Sequence, residues 1–288
     1  MPIITISRGC FSHGKEVAEK VAAMLDCKAL SRETLIEEAS GTYAVPEKEL
    51  IKSIHDAPSV LDRITHGREH YLCYIQAMLL THVKTEGVVY HGNASHLLLP
   101  DIAHVLNVRI LADMADRIAF MQQNKNISEK DAIRHIHAED TNRTRWAHYL
   151  YKSDIADPQL YDMVIKINKL SIEDAASLIC DAAQKPSLQP TAGSQQALSD
   201  LAVSSRAKAA ILKNCRTDLK VKVTAHAGIV HIRAEAPSMR KTGYTNPKTE
   251  TYVKEKMQKE IRDEISGAIA GIPDIKNTVY EIVPPSYI

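Results

Sequence analysis

Two hydrophobic periods alternate along this chain. Ile3-Ile4-Thr5-Ile6 is a short β-branched run that suits a buried strand. From Val17 onward, Val17, Ala18, Val21, Ala22, Met24 and Leu25 recur at helical spacing. Residues 31–39 read as a second helix with Ser31 as its N-cap. Val45-Pro46-Glu47 opens a third, since proline is tolerated in a first turn, and Ala57-Pro58-Ser59 breaks it. Residues 67–84 form a long amphipathic helix with Tyr71, Ile75, Met78, Leu79 and His82 near one stripe.

The strand period returns at Gly87-Val88-Val89-Tyr90-His91-Gly92, at Val105 to Leu111, and at Tyr161 to Ile167. Between these lie a short helix start at Asn93 to Leu99 and a helix from Ala115 to Gln123. A longer helix opens at Ser128-x-x-Asp131, a variant of the capping box, and runs to about Tyr151. Ser171 caps a helix over 172–183. This alternation predicts an α/β fold, a P-loop-type parallel sheet with helices on both faces, whose ligands bind at the carboxyl ends of the strands. That end collects residues 9–15, residues 91–93 and Asp113.

Lys185 to Gln196, rich in Pro, Ser, Gln, Thr and Gly, reads as a linker. After it the pattern changes to helix 198–214, strands 219–225 and 229–234 joined at His226-Ala227-Gly228, a charged helix 247–270 and a strand 275–283. These make a small C-terminal α+β domain. The expected division is 1–184, linker 185–197, and 198–288.

Composition narrows the classes. Lys+Arg 36 against Asp+Glu 35 leaves no bulk charge to drive nucleic-acid binding, so no nucleic-acid partner is expected. Five scattered cysteines, with no C-x-x-C pair, suggest neither a zinc ribbon nor a disulfide framework. A strand beginning at residue 3 leaves no room for a signal peptide, and no run approaches a transmembrane segment. The expected location is cytoplasmic. His66 and His70 stand one helical turn apart, but without a third ligand in sequence two exposed histidines are the expectation, and no metal site is assigned to protein residues.

The candidate chemistry lies at Gly9-x-x-x-x-Gly14-Lys15, between the first strand and the first helix. Backbone N–H groups and a helix N-terminus there face an anion, and lysine adds a charge. Glu16 stands where a full phosphate loop has Ser or Thr for magnesium, and Phe11 and His13 stand where glycine is usual. An ordinary strand–turn–helix with an exposed lysine is the alternative.

Residues 6–16, Ile-Ser-Arg-Gly-Cys-Phe-Ser-His-Gly-Lys-Glu, resemble the loop of the cytidylate kinase-like branch of the nucleoside monophosphate kinases, in which Glu16 is ordinary. Asp116-Arg117-Ile118, Ser128-Glu129-Lys130-Asp131-Ala132, Asp140-x-x-Arg143, Asp157-Pro158-x-x-Tyr161-Asp162 and Lys169-Leu170-Ser171-Ile172-Glu173 extend the resemblance. In register, Gly14 rather than Lys15 takes the lysine position of the true cytidylate kinases. Where the family has a Gly-Arg pair holding the nucleotide monophosphate, this chain has Gly92-Asn93. Residues 204–283 resemble a BON domain, carried by Val221-x-Val223, Ala227-Gly228-Ile229-Val230 and Gly271-Ile272-Pro273-Asp274-Ile275-Lys276-Asn277, with an unusually long polar connection at 237–247.

The resemblance implies ATP and Mg2+ as cofactors, with Gly9, Ser12, His13, Gly14, Lys15, Glu16, Arg117 and Arg145 binding the nucleotide. Lys15, Arg143 and Arg134 are its catalytic candidates, the arginines belonging to a mobile lid; a solvated basic helix face is the alternative. Arg117 reads equally as a salt-bridge residue, and Trp146 as a lid residue or a core anchor. His91, Asn93 and His96 are the substrate-binding candidates, against histidines with merely satisfied hydrogen bonds. Two functions follow. One is an ATP-dependent nucleoside monophosphate kinase with a regulatory BON module. The other is a non-catalytic nucleotide sensor whose BON domain engages a phospholipid or protein partner. A homo-oligomer is a further expectation.

Overall fold

A computed structural model of the chain describes residues 2–55, 67–215, 219–236 and 247–284. His66, and with it the His66–His70 spacing, the break at 57–59 and residues 237–246 of the connection lie outside the described residues. The chain divides into two compact units, Met1–Gln195 and Gln196–Ile288.

The first unit holds a five-stranded, wholly parallel sheet in the order β2-β3-β1-β4-β5. Its strands are β1 (Ile3–Arg8), β2 (Lys28–Ser31), β3 (Val88–Gly92), β4 (Val105–Ala112) and β5 (Met163–Ile167). Four of them follow the apolar runs in the sequence. The edge strand β2 was invisible there because only Leu30 of its four residues is buried. Helices α1 (Gly14–Met24), α2 (Arg32–Tyr43), α3 (Glu47–His55), α4 (Gly67–Thr85), α5 (Met114–Lys125), α6 (Glu129–Tyr151) and α7 (Ile172–Ala183) flank the sheet. Local capping sets several of their starts. Ser31, Ser128 and Ser171 each accept a hydrogen bond from the backbone N–H three residues on, and Ser171 completes a capping box with Asp174.

The period of two along β1 separates two environments. Ile4 and Ile6 join Val89, Val108, Ile110 and Ile165 in an apolar face under α1 and α7, packed against Val17, Val21, Ala175 and Ile179. Arg8 continues this alternation, so its side chain leaves the strand on the α1 side. Thr5 and Ser7 belong to the other face, where Thr5 donates to Asn107 Oδ1 (2.8 Å). Ser7 is level with Gly92 on one side and Arg109 on the other.

The second unit contains α8 (Ala192–Asn214) from Gln196 onward, β6 (Lys220–His226), β7 (Ile229–Glu235), α9 (Pro247–Ile269) and β8 (Asn277–Val283). Helix α8 begins inside the stretch expected as linker, where Thr191 and Ser194 cap each other's backbone. β6 and β7 form an antiparallel hairpin and β8 adds in parallel to β7. Ala227 and Gly228 both have positive φ, as a two-residue type I′ turn requires. One face of this sheet is covered by Val203, Ala207 and Ile211 of α8 and by Ile261 and Ile265 of α9. Among the described residues, no helix is long and apolar enough to cross a membrane.

Candidate functional site

The loop between β1 and α1 bends through two non-glycine residues in the left-handed region, Phe11 (φ 55°) and His13 (φ 61°). Each costs on the order of 1 kcal/mol in an L-residue, so the surroundings must hold them there. They do so through side chains. His13 Nε2 lies 2.8 Å from Asp116 Oδ2, and its ring lies 4.3 Å from that of Phe120. The Phe11 ring meets Phe120 edge-on at 6.0 Å, with Lys125 Nζ 5.6 Å from its centroid. Because His13 is engaged with Asp116, it gives no side-chain cap to α1. The first N–H groups of that helix have no intrahelical partner, which leaves them available to an anion.

A second set of contacts fixes the start of the loop. Asp140 Oδ1 accepts from the Cys10 N–H (3.1 Å), and Arg117 Nε donates to the Cys10 carbonyl (2.7 Å). Arg117 Nη2 and Asp140 Oδ2 close the square at 2.6 Å. Both backbone groups of one loop residue are thus held by a charge pair from α5 and α6. Ser12 Oγ donates to the Gly9 carbonyl at 2.9 Å and turns back into the loop.

Around these elements lies a hollow of about 300 Å³, lined on its polar side by Arg8, Ser12, Gly14, Lys15, Glu16 and Arg143 and on its aromatic side by Phe11, His13 and Phe120. Neither Phe11 nor His13 fills it. Arg143 Nη1 donates to the Arg8 carbonyl (3.2 Å), and its Nε, not hydrogen-bonded among the described residues, pairs with Glu139 Oε2 at 3.9 Å. Burial, and next the Arg143 guanidinium, push Arg8 below its ordinary pKa. Arg8 Nη1 donates to His91 Nδ1, and burial together with Arg8 holds His91 neutral, at about 4. Two guanidiniums held together in a half-buried hollow repel each other, and a multiply charged anion relieves that repulsion.

Gly14 is required by this packing. A Cβ there would come within 2.5 Å of Arg8 Cδ and 2.7 Å of Arg8 Cβ.

The predicted residues therefore divide. Ser12, His13, Gly14, Lys15, Glu16 and Arg143 come together around the hollow, with Gly9 and Arg117 bracing it. Lys15 points outward, with a 60% exposed side chain 3.7 Å from Glu19. Arg134, paired with Asp131, and Arg145 are exposed and do not line the hollow. Trp146 is buried, with its ring 5.8 Å from that of Tyr151, and also stands outside the lining. Asp113 is engaged by Lys166 (2.6 Å) and Asn168.

His91 joins the loop side through Arg8, whereas the His96 ring meets Tyr161 edge-on with the half-buried Arg109 over the same tyrosine, and Asn93 is buried with neither amide atom hydrogen-bonded among the described residues. Arg8 and Asp140 were quoted in the resemblance but given no site role. For Arg8 the signal was present in the strand period, which aims residue 8 to the same side as Ile4 and Ile6. For Asp140 the signal was its match to the family at i,i+3 from Arg143, which the sequence tied to the lid and not to the loop it braces.

The profile described as "Cytidylate kinase-like family" matches residues 3–169. A cytidylate kinase from Pyrobaculum islandicum is 25% identical over 183 residues, covering 63% of this chain and 92% of that protein. Among solved structures, an uncharacterized protein from Eubacterium ventriosum shares 22% identity at a TM-score of 0.49 (63% of this chain, 97% of that one). A shikimate kinase from Bacteroides thetaiotaomicron shares 10% at 0.40 (64% and 99%).

Proposed function

The chain belongs to the cytidylate kinase-like family, and from that membership we propose that it is an ATP-dependent nucleoside monophosphate kinase acting in the cytoplasm. The observation that carries this reading is the Arg8–Arg143 pair beside the uncapped start of α1, a hollow whose charge asks for a polyphosphate. Arg143, beside Arg8 at the hollow, is assigned to the transferred phosphoryl group. Ser12, His13, Gly14 and Lys15 are assigned to the donor phosphates. Arg8 is added to them, and Gly9 and Arg117 support the loop. Arg134 and Arg145 act only if α6 moves toward the nucleotide.

ATP fits this hollow through its phosphates. Among the described residues no three His, Cys, Asp or Glu side chains are grouped to hold a metal. Glu16, on the rim, suits a Mg2+ held mainly by phosphate oxygens and water. Phosphoryl transfer needs little else of the protein than position and charge. Residues 198–288 are proposed as a BON-like module for regulation or assembly, with a phospholipid or protein partner or a second copy of the chain.

One observation favours the second reading, a nucleotide sensor without turnover. The loop lysine is spent on Glu19 at the surface. Calorimetric titration with ATP, then CMP, followed by an assay for ADP across a panel of acceptors, separates the two. ADP formation supports the kinase, and saturable ATP binding without ADP supports the sensor. Absence of ATP binding removes both.

A further inference from the structure

Helix α6 brings three charged side chains to the loop, Glu139, Asp140 and Arg143. Asp140 is engaged by the Cys10 N–H and by Arg117. Glu139 has a different neighbour. Its Oε2 lies 3.9 Å from Arg143 Nε, one helical turn on, and the two side chains are only 24% and 16% exposed. At that separation the contact is one of charge rather than a hydrogen bond. The charge of Glu139 reaches the loop as well. Burial above all, opposed by Arg143 and joined by Asp140 and Glu139, pushes the Cys10 thiol above its ordinary pKa.

The cations around the hollow are not compensated alike. Arg32 has Glu33 at 2.6 Å. Arg8 donates to a neutral imidazole, His91 Nδ1, and the carboxylates acting on it are Glu33 and, on the rim, Glu16. Arg143 holds the Arg8 carbonyl at 3.2 Å, and Glu139 is the one carboxylate within 4 Å of it among the described residues. A glutamate four residues before an arginine is ordinarily a solvated helix pair with little effect. Here both partners are largely out of water and the arginine lines the hollow. The pair therefore stands where a polyphosphate arrives. An incoming anion and Glu139 compete for one guanidinium, and their like charges repel.

We propose that Glu139 is the resident counter-ion of Arg143, neutralising the arginine in the empty hollow and yielding it to the phosphates of an incoming polyphosphate. The identity of that polyphosphate as ATP rests on the kinase reading; the exchange itself requires only the anion. No covalent bond changes. The Arg143 guanidinium passes from a carboxylate to phosphate oxygens, and the carboxylate takes it back when the anion leaves. Glu139 thus acts through Arg143 as a positioning residue. It holds anion affinity below what the two arginines alone would give, and it favours release.

The test titrates the full chain by calorimetry with inorganic tripolyphosphate and with ATP, at a salt concentration of about 0.05 M so that screening is weak. Glu139→Gln keeps the shape and removes the charge. It is expected to bind both anions roughly three- to tenfold tighter than wild type. Glu139→Asp, which keeps the charge, should stay within about twofold of wild type. In an Arg143→Ala background, Glu139→Gln should gain at most about twofold, because the contested cation is gone. A glutamate that merely props α6 would weaken binding when replaced. Weaker or unchanged binding in Glu139→Gln, the same gain in Glu139→Asp, or a gain that Arg143→Ala leaves intact overturns the proposal. ATP bound equally by wild type and Glu139→Gln leaves the kinase reading standing and removes this one. Tripolyphosphate bound tighter by Glu139→Gln, with ATP bound by neither protein, does the reverse. Binding of neither anion removes both.

Discussion

Replacing Asp140 tests whether the loop is shaped by its brace. In Asp140→Asn the amide oxygen still accepts from the Cys10 N–H, but an NH2 group now faces Arg117 Nη2, donor against donor. The lost contact is a 2.6 Å charge-assisted bond whose arginine side chain is 11% exposed and whose aspartate side chain is 35% exposed. Such bonds contribute about 1.5–3 kcal/mol, and partial exposure of the carboxylate favours the lower half, so a loss of about 2 kcal/mol is expected. Asp140→Ala also abandons the Cys10 N–H at 3.1 Å and is expected to cost about 3 kcal/mol. Urea unfolding of the full chain reads both values, and a double-mutant cycle with Arg117→Ala should return a coupling of at least about 1 kcal/mol. Because an unbraced loop must be ordered when ATP binds, ATP affinity should fall by roughly tenfold in Asp140→Asn. The reasoning is refuted if the two variants are equally stable within about 0.5 kcal/mol of wild type while ATP binds as before.

Gly14→Ala places a methyl against the Arg8 stem, which is anchored at its Cβ and cannot simply swing aside; a loss of about 1–3 kcal/mol and of most ATP binding is expected in melting and titration experiments. Arg143→Ala should weaken ATP at least tenfold, roughly the worth of one charged contact, whereas Arg134→Ala should stay within about twofold because that side chain is 71% exposed. Stability should fall as pH drops from about 7 to 5. His91 and His96 have folded pKa values of about 4 against an ordinary 6.5, so in that window the unfolded chain binds more protons. Each of the two contributes a loss on the order of 2 kcal/mol, the buried His104, also lowered, adds to the same trend, and His96→Gln should remove about 2 kcal/mol of the fall between pH 7 and 5. In the second unit, Gly228→Ala adds a Cβ 3.1 Å from the Asp274 carbonyl at φ +85°, and a loss of about 1 kcal/mol is expected from the melting curve.

Much of this protein was determined by its sequence alone. The apolar runs of β1, β3, β4 and β5, the serine caps of α2, α6 and α7, and the hairpin at Ala227-Gly228 depend on residues within a turn or two of each other. Neighbours so close report directly on burial period and backbone preference, and the loop motif is legible for the same reason. Tertiary structure decided the rest. Edge strand β2 forms because Gly87 and β3 supply its hydrogen bonds, not because its own residues demand burial. Asp140 reaches Cys10 across 130 residues, and Arg143 reaches the Arg8 carbonyl across 135. His91 and His96, five residues apart, are separated into different groups by a strand end and a left-handed Ala94. A charge in a sequence carries no direction; only the packed sheet gives each one a partner, and with it a role.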